Sequence, residues 1–199
     1  MVHLGIGGCV RDEWTPEIAR HYAETYGVHA SHPHAVRLAR LQPDDVVVDI
    51  GCGPGNVLHL AGKVVTHGKL IGVDPSDEMI RIARERSVGH ASAERLQWEV
   101  APAHALPVDD AAATVLLAIH SLHHWDDIGE GFDEVCRVLA PGGRLLIAFE
   151  EHYGTFSSDL VAEMLDDLGF RDIDTRVVEV DEDEPVQFIW GTWPGRRQR

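Results

Sequence analysis

The chain has 199 residues, 44% of them apolar and 25% charged, with 33 Asp and Glu against 17 Lys and Arg for a net charge of −16. These proportions describe one folded domain with a sizeable core and exclude a disordered chain. The acidity argues against nucleic acid as a partner, because that binding draws on Lys and Arg against phosphate. The cysteines, Cys9, Cys52 and Cys136, form no CxxC pair, which excludes a disulfide framework or a cysteine-paired zinc site. No membrane span is expected, since the longest apolar run, Ala111–Ile119, is too short for one. The start, Met1–Val10, lacks a basic segment followed by an apolar one, so a cytoplasmic location is expected.

In chain order, Met1–Glu13 is expected to fray. Thr15 and Pro16 then start a helix predicted over Pro16–Tyr26, with Ile18, Tyr22 and Tyr26 on one face. A second helix is predicted over Ser31–Leu41, closed by Pro43. Next comes Val46–Gly55, VVVDIGCGPG, on which the rest of the reading depends. Its β-branched run predicts a buried strand of a parallel sheet. Gly51, Gly53 and Gly55 predict a tight turn into a helix over Asn56–Val65, with the backbone close to a ligand and N–H groups free. Asp49 decides which ligand. Its carboxylate would repel a pyrophosphate at this turn but attract an amino group and a sulfonium, the groups of S-adenosylmethionine (SAM).

DIGCGPG resembles motif I of the class I SAM-dependent methyltransferases, acidic-x-Gly-x-Gly-x-Gly. The resemblance implies that Asp49 meets the methionine amino end and that Gly51, Cys52, Gly53 and Gly55 shape the cofactor turn. The predicted second strand, Lys69–Val73, ends at Asp74. An acidic residue about twenty positions beyond the glycine turn suits both ribose hydroxyls, with Pro75 beside it. Ser76 caps a helix predicted over Asp77–Arg86, on which Met79 either lies against the adenine, as the resemblance implies, or packs in the core.

A third strand over Leu96–Val100 leads into APAHALPVDD, similar to the family's adenine segment at Ala103, Leu106 and Pro107. Pro102 departs from it, having no N–H to offer, and His104 is expected to compensate. The fourth strand, Thr114–Ile119, brings Ile119 to the cofactor. The LHHW-D that follows resembles the ubiquinone-biosynthesis C-methyltransferase group. A helix over Ile128–Leu139, the turn Ala140–Gly143, a strand over Arg144–Phe149 and a helix over Phe156–Leu168 come next. Two alternating strands, Arg171–Val180 and Val186–Trp193, flank the acidic turn Asp181–Glu184 and predict an antiparallel hairpin.

The fold implied is α/β: a single Rossmann-like domain with a seven-stranded, mostly parallel sheet, an antiparallel C-terminal hairpin strand and helices on both faces. Residues 1–41 are expected to form a helical lid over a core spanning residues 42–199. The resemblance covers Pro16–Trp193.

Methyl transfer from a sulfonium is an in-line displacement, so the protein mainly aligns the acceptor, and a base is needed only for a protonated one. His123 and His124 are the candidate bases. On a helix adjacent residues cannot face the same way, so one is expected in the cleft and the other packed or capping. Tyr22, Tyr26, His120 and His152, with Tyr153, are candidates for the acceptor pocket; the tyrosines could equally pack on the sheet and the histidines serve structure. His29, His32 and His34 have no interleaved Asp, Glu or Cys, and no metal site is expected there.

The end of strand four lacks the Asn/Asp-Pro-Pro-aromatic motif of base and amide methylases, leaving an O, C, S or aliphatic N acceptor on a small molecule. Two rivals stand beside this reading. An NAD-dependent oxidoreductase is opposed by Asn56, which occupies the third glycine position of GxGxxG, and by Asp49. A non-catalytic SAM-binding protein is favoured by the want of an insertion to build an acceptor pocket. Monomer and homodimer are both compatible with the sequence.

Overall fold

Strand-forming runs of Val, Ile and Leu alternate along this chain with helices carrying one apolar face, and the two faces of a single sheet bury both. The computed structural model describes residues 15–25, 27–151, 156–180 and 184–195. Helices α1 (Pro16–Thr25) and α2 (His32–Leu38) precede β1 (Val46–Ile50), α3 (Asn56–Ala61), β2 (Lys69–Asp74), α4 (Asp77–Ser87), β3 (Leu96–Val100) and β4 (Ala113–Ile119). Then follow α5 (Ile128–Val138), β5 (Leu139–Glu150), α6 (Ser158–Leu168), β6 (Arg171–Val178) and β7 (Val186–Trp193). The strand order is β3-β2-β1-β4-β5-β7-β6. The first five strands are parallel, and β7 runs antiparallel to both β5 and β6.

Side chains of a strand point alternately to its two faces, and β4 shows the result. Leu116 and Ala118 join Val48, Phe132, Val135, Val161 and Leu165 beneath α5 and α6. Val115, Leu117 and Ile119 join Val47, Leu58, Ala61 and Ile80 beneath α2, α3 and α4. Helix α1 stands apart from the sheet, packing Ala19 and Ala23 on Met79 and Ile82 of α4. Arg86 also donates from Nη2 to the Ala23 carbonyl at 3.1 Å.

Several bounds differ from the sequence reading. Helix α3 stops at Ala61, where Gly62 caps it, and α2 is shorter at both ends. Strand β5 begins at Leu139, because Leu139 already pairs with Ala113 ahead of a register shift at Val115. The hairpin is antiparallel as expected, and Gly169 ends α6 in the left-handed conformation with φ 94°.

Candidate active site

The carboxyl ends of the parallel strands converge at the point where the sheet order reverses, between β1 and β4, the place where α/β sheets bind ligands. A cavity of about 540 Å³ opens there. One end is built from the β1 turn and the end of β2, with Asp49, Gly51, Cys52, Gly53, Asp74, Pro75 and Met79. The other is built from histidines: His29 and His32 before and on α2, His120 after β4, and His123 and His124 beyond it. Tyr22, Ala103 and Ile119 also line it. Tyr26, His152 and Tyr153 lie outside the described residues.

The glycine turn is tied down by its own backbone. The amides of Gly51 and Cys52 both donate to the Val73 carbonyl, at 2.8 and 3.1 Å, and that of Gly55 to the Cys52 carbonyl at 3.0 Å. The Gly53 amide donates to Asp74 Oδ2 at 2.9 Å. These four amides of the turn are thus engaged within the protein, and no side chain caps the N-terminus of α3 that follows. A Cβ on Gly51, whose φ is +70°, would fall 2.4 Å from Ser121 Cβ. One on Gly55 would fall 2.4 Å from the Trp98 ring, and Gly55 does not line the cavity.

Asp74 accepts one N–H on each oxygen, from Gly53 and from Ser76, both at 2.9 Å. Each oxygen keeps a further lone pair for a ligand. Asp49 is 1% exposed. Burial, and then the nearby Asp74 carboxylate, push its carboxyl well above the usual range. Met79 packs with α1, as the core reading expected, and it also lines the cavity. Pro102 and Ala103 line the cavity and His104 does not; the Ala105 amide closes a turn here on the Pro102 carbonyl.

The histidine end departs further from expectation. His123 and His124 lie on a 3-10 turn, Leu122–His124, instead of an α-helix, with ring centroids 4.0 Å apart. Both line the cavity, which corrects the expectation that only one would. Burial lowers the basicity of His124. His120 has a left-handed backbone, φ 55°, held by its amide on the Ala148 carbonyl at 2.8 Å. Its Nδ1 lies 3.0 Å from Glu150 Oε2 and its Nε2 2.7 Å from Ser31 Oγ. His29, His32 and Glu150 were not singled out for this site from sequence. They come from segments separated by more than a hundred residues, with no motif to join them.

Carboxylates carry the charge of the wall beside the histidines. Asp49, Asp74, Asp126, Glu150 and Glu184 line the cavity, and among the described residues that do so there is no Lys or Arg. The α1–α2 connection closes one side through Gly27 and His29, and Asn56 donates from Nδ2 to the Gly27 carbonyl.

Asp49 near the end of β1 and Asp74 at the end of β2 flank the glycine turn of this α/β sheet, and sequence comparison names the family. Residues 48–147, just over half the chain, match the family model described as "Methyltransferase domain". The chain belongs to the class I SAM-dependent methyltransferases, and SAM is its cofactor.

It is 31% identical over 115 residues to the ubiquinone/menaquinone biosynthesis C-methyltransferase of Geobacter sulfurreducens, covering 57% of this chain and 45% of that protein. It is 29% identical over 178 residues to the tRNA (carboxymethyluridine(34)-5-O)-methyltransferase ALKBH8 of Macaca fascicularis, covering 86% of this chain and 24% of that one. The chain thus spans less than half the length of either relative. Among solved structures, phosphoethanolamine N-methyltransferase 2 of Haemonchus contortus in complex with SAM shares the fold, with TM-score 0.75 and 16% identity. That match covers 92% of this chain and 58% of the other. Among the described residues no helix is long and apolar enough to cross a membrane.

Proposed function

We propose that this chain transfers the sulfonium methyl of SAM to an O, C, S or aliphatic N atom of a small molecule by in-line displacement. The observation that carries the reading is the single cavity joining the Asp49–Asp74 end to the histidine end. A protein that only held SAM would need the first end and not the second. The cavity's volume suits small ligands. The residues present fit a cationic cofactor: buried carboxylates face the cavity with no Lys or Arg among the described lining residues.

When bound, SAM supplies an electrophilic carbon on a good leaving group. The chain's own residues do the rest. Asp49 holds the amino end and Asp74 the ribose hydroxyls, while Met79, Pro102 and Ala103 wall the adenine. The described residues ahead of β1 act as a lid: Tyr22, Gly27 and His29 line the cavity, and closing it excludes water from the reacting atoms. His123 or His124 takes the proton when the acceptor carries one.

The tRNA-methylating relative raises nucleic acid as an acceptor. The net charge of −16 opposes it, because phosphate contacts need Lys and Arg. The test is calorimetric titration with SAM, S-adenosylhomocysteine and NAD, followed by a screen of acceptors with labelled methyl donor. Binding of both sulfur ligands without NAD, then label in a small acceptor, is the expected result. Binding of NAD alone would overturn the cofactor assignment, and label only in RNA would overturn the acceptor class.

A further inference from the structure

We propose that His29, His120 and Glu150 form a binding site for one borderline divalent cation, of the Zn²⁺ or Co²⁺ kind, at the histidine end of the cavity. Each residue offers one ligand atom, and the three atoms lie within 4.8 Å of one another. His29 Nε2 is 3.6 Å from Glu150 Oε1, and His120 Nδ1 is 3.0 Å from Glu150 Oε2. Two imidazoles and one carboxylate are a nitrogen–oxygen set suited to such ions. All three residues line the cavity, so the ion's remaining positions face the space where an acceptor oxygen or sulfur would lie.

Ser31 supplies a second, independent observation. Its hydroxyl is fully buried and lies 2.8 Å from His29 Nδ1 and 2.7 Å from His120 Nε2. The hydroxyl can accept an N–H from His120 Nε2 and donate its own proton to His29 Nδ1, which also accepts the Ser31 amide at 3.1 Å. Held in this way, His29 Nε2 and His120 Nδ1 both face Glu150. Metal-ligating histidines are held this way, the far nitrogen bonded so that the near one points at the ion. The His120 ring is held between Ser31 Oγ at 2.7 Å and Glu150 Oε2 at 3.0 Å.

His32 stays outside the ligand set, because its Nδ1 accepts the His29 amide at 3.4 Å.

The site rests on ligand geometry and not on methyl transfer, and the experiment keeps the two apart. The full chain, stripped with a chelator and dialysed, is titrated with Co²⁺ while its visible d–d absorption is followed. S-adenosylhomocysteine affinity is measured on the same samples. The expected result is one equivalent of coloured Co²⁺, displaced by Zn²⁺, with affinity lowered roughly tenfold or more in Glu150→Gln, His29→Ala and Ser31→Ala. His34→Ala, on α2 where the ring bonds Arg37 at 2.8 Å, leaves it unchanged. No uptake, or uptake indifferent to the first three substitutions, overturns the site: the cluster then holds protons, or other histidines take the ion. Co²⁺ uptake in a chain that does not bind S-adenosylhomocysteine supports the site and counts against the cofactor reading alone.

Discussion

Asp74 has two roles that mutation can separate. Its carboxylate pins the Gly53 and Ser76 amides, and in the proposed function its remaining lone pairs hold the ribose. Asp74→Ala should lower SAM affinity by about 1–3 kcal/mol, the range for hydrogen bonds to a charged group, and should also lower the melting temperature. Asp74→Asn, which retains one acceptor oxygen, should lose affinity with less loss of stability. An unchanged SAM affinity in the alanine variant would remove the ribose assignment.

Asp49 gives a pH prediction. Burial and Asp74 raise its pKa in the free protein, which favours the protonated acid, whereas a bound cation favours the carboxylate. Binding should therefore expel a proton, and SAM affinity should fall as pH is lowered; calorimetry in buffers of different ionisation enthalpy reads the proton directly. Asp49 and Asp74 were legible in sequence because each stands at a fixed offset from the glycine turn. His29 and Glu150 were not, because only the folded sheet brings them together.

At the scale of the element, what is local was legible and what is tertiary was not. Ser76 was read as the N-cap of α4, and its Oγ does accept the Met79 amide at 3.3 Å. Ser76→Ala should cost about 1 kcal/mol of stability, measured by denaturant unfolding. Alternation announced the C-terminal hairpin, whereas the early start of β5 depends on pairing with β4, which no local pattern encodes. The glycines make the same division. Gly55 was expected at a ligand, but it is required by Trp98, whose ring is itself held by Nε1 donating to Ser87 Oγ at 3.1 Å. Gly55→Ala should therefore destabilise the fold by about 1–3 kcal/mol through overpacking. Folded variant that remains should bind SAM as the parent does, and selective loss of binding without loss of stability would restore the ligand role.

Across the whole molecule, stability and chemistry sit at opposite ends of the strands. At the amino end, Asp45 accepts from the Gln42 amide, the Thr114 hydroxyl and Arg144 Nη2, each at 2.7 Å, joining β1, β4 and β5. Removing one partner strands the others, so Asp45→Ala should cost about 3 kcal/mol in thermal or denaturant unfolding. SAM affinity of the folded fraction should stay unchanged, and a matching loss of affinity would show the two ends to be coupled. At the carboxyl end, five carboxylates line the cavity with no Lys or Arg among its described residues, and this bears on turnover. The proposed methyl transfer removes the positive charge of the sulfonium, so this wall should hold the fresh cofactor more tightly than the spent one. Calorimetry should read SAM affinity above S-adenosylhomocysteine affinity, with the gap narrowing as salt is added.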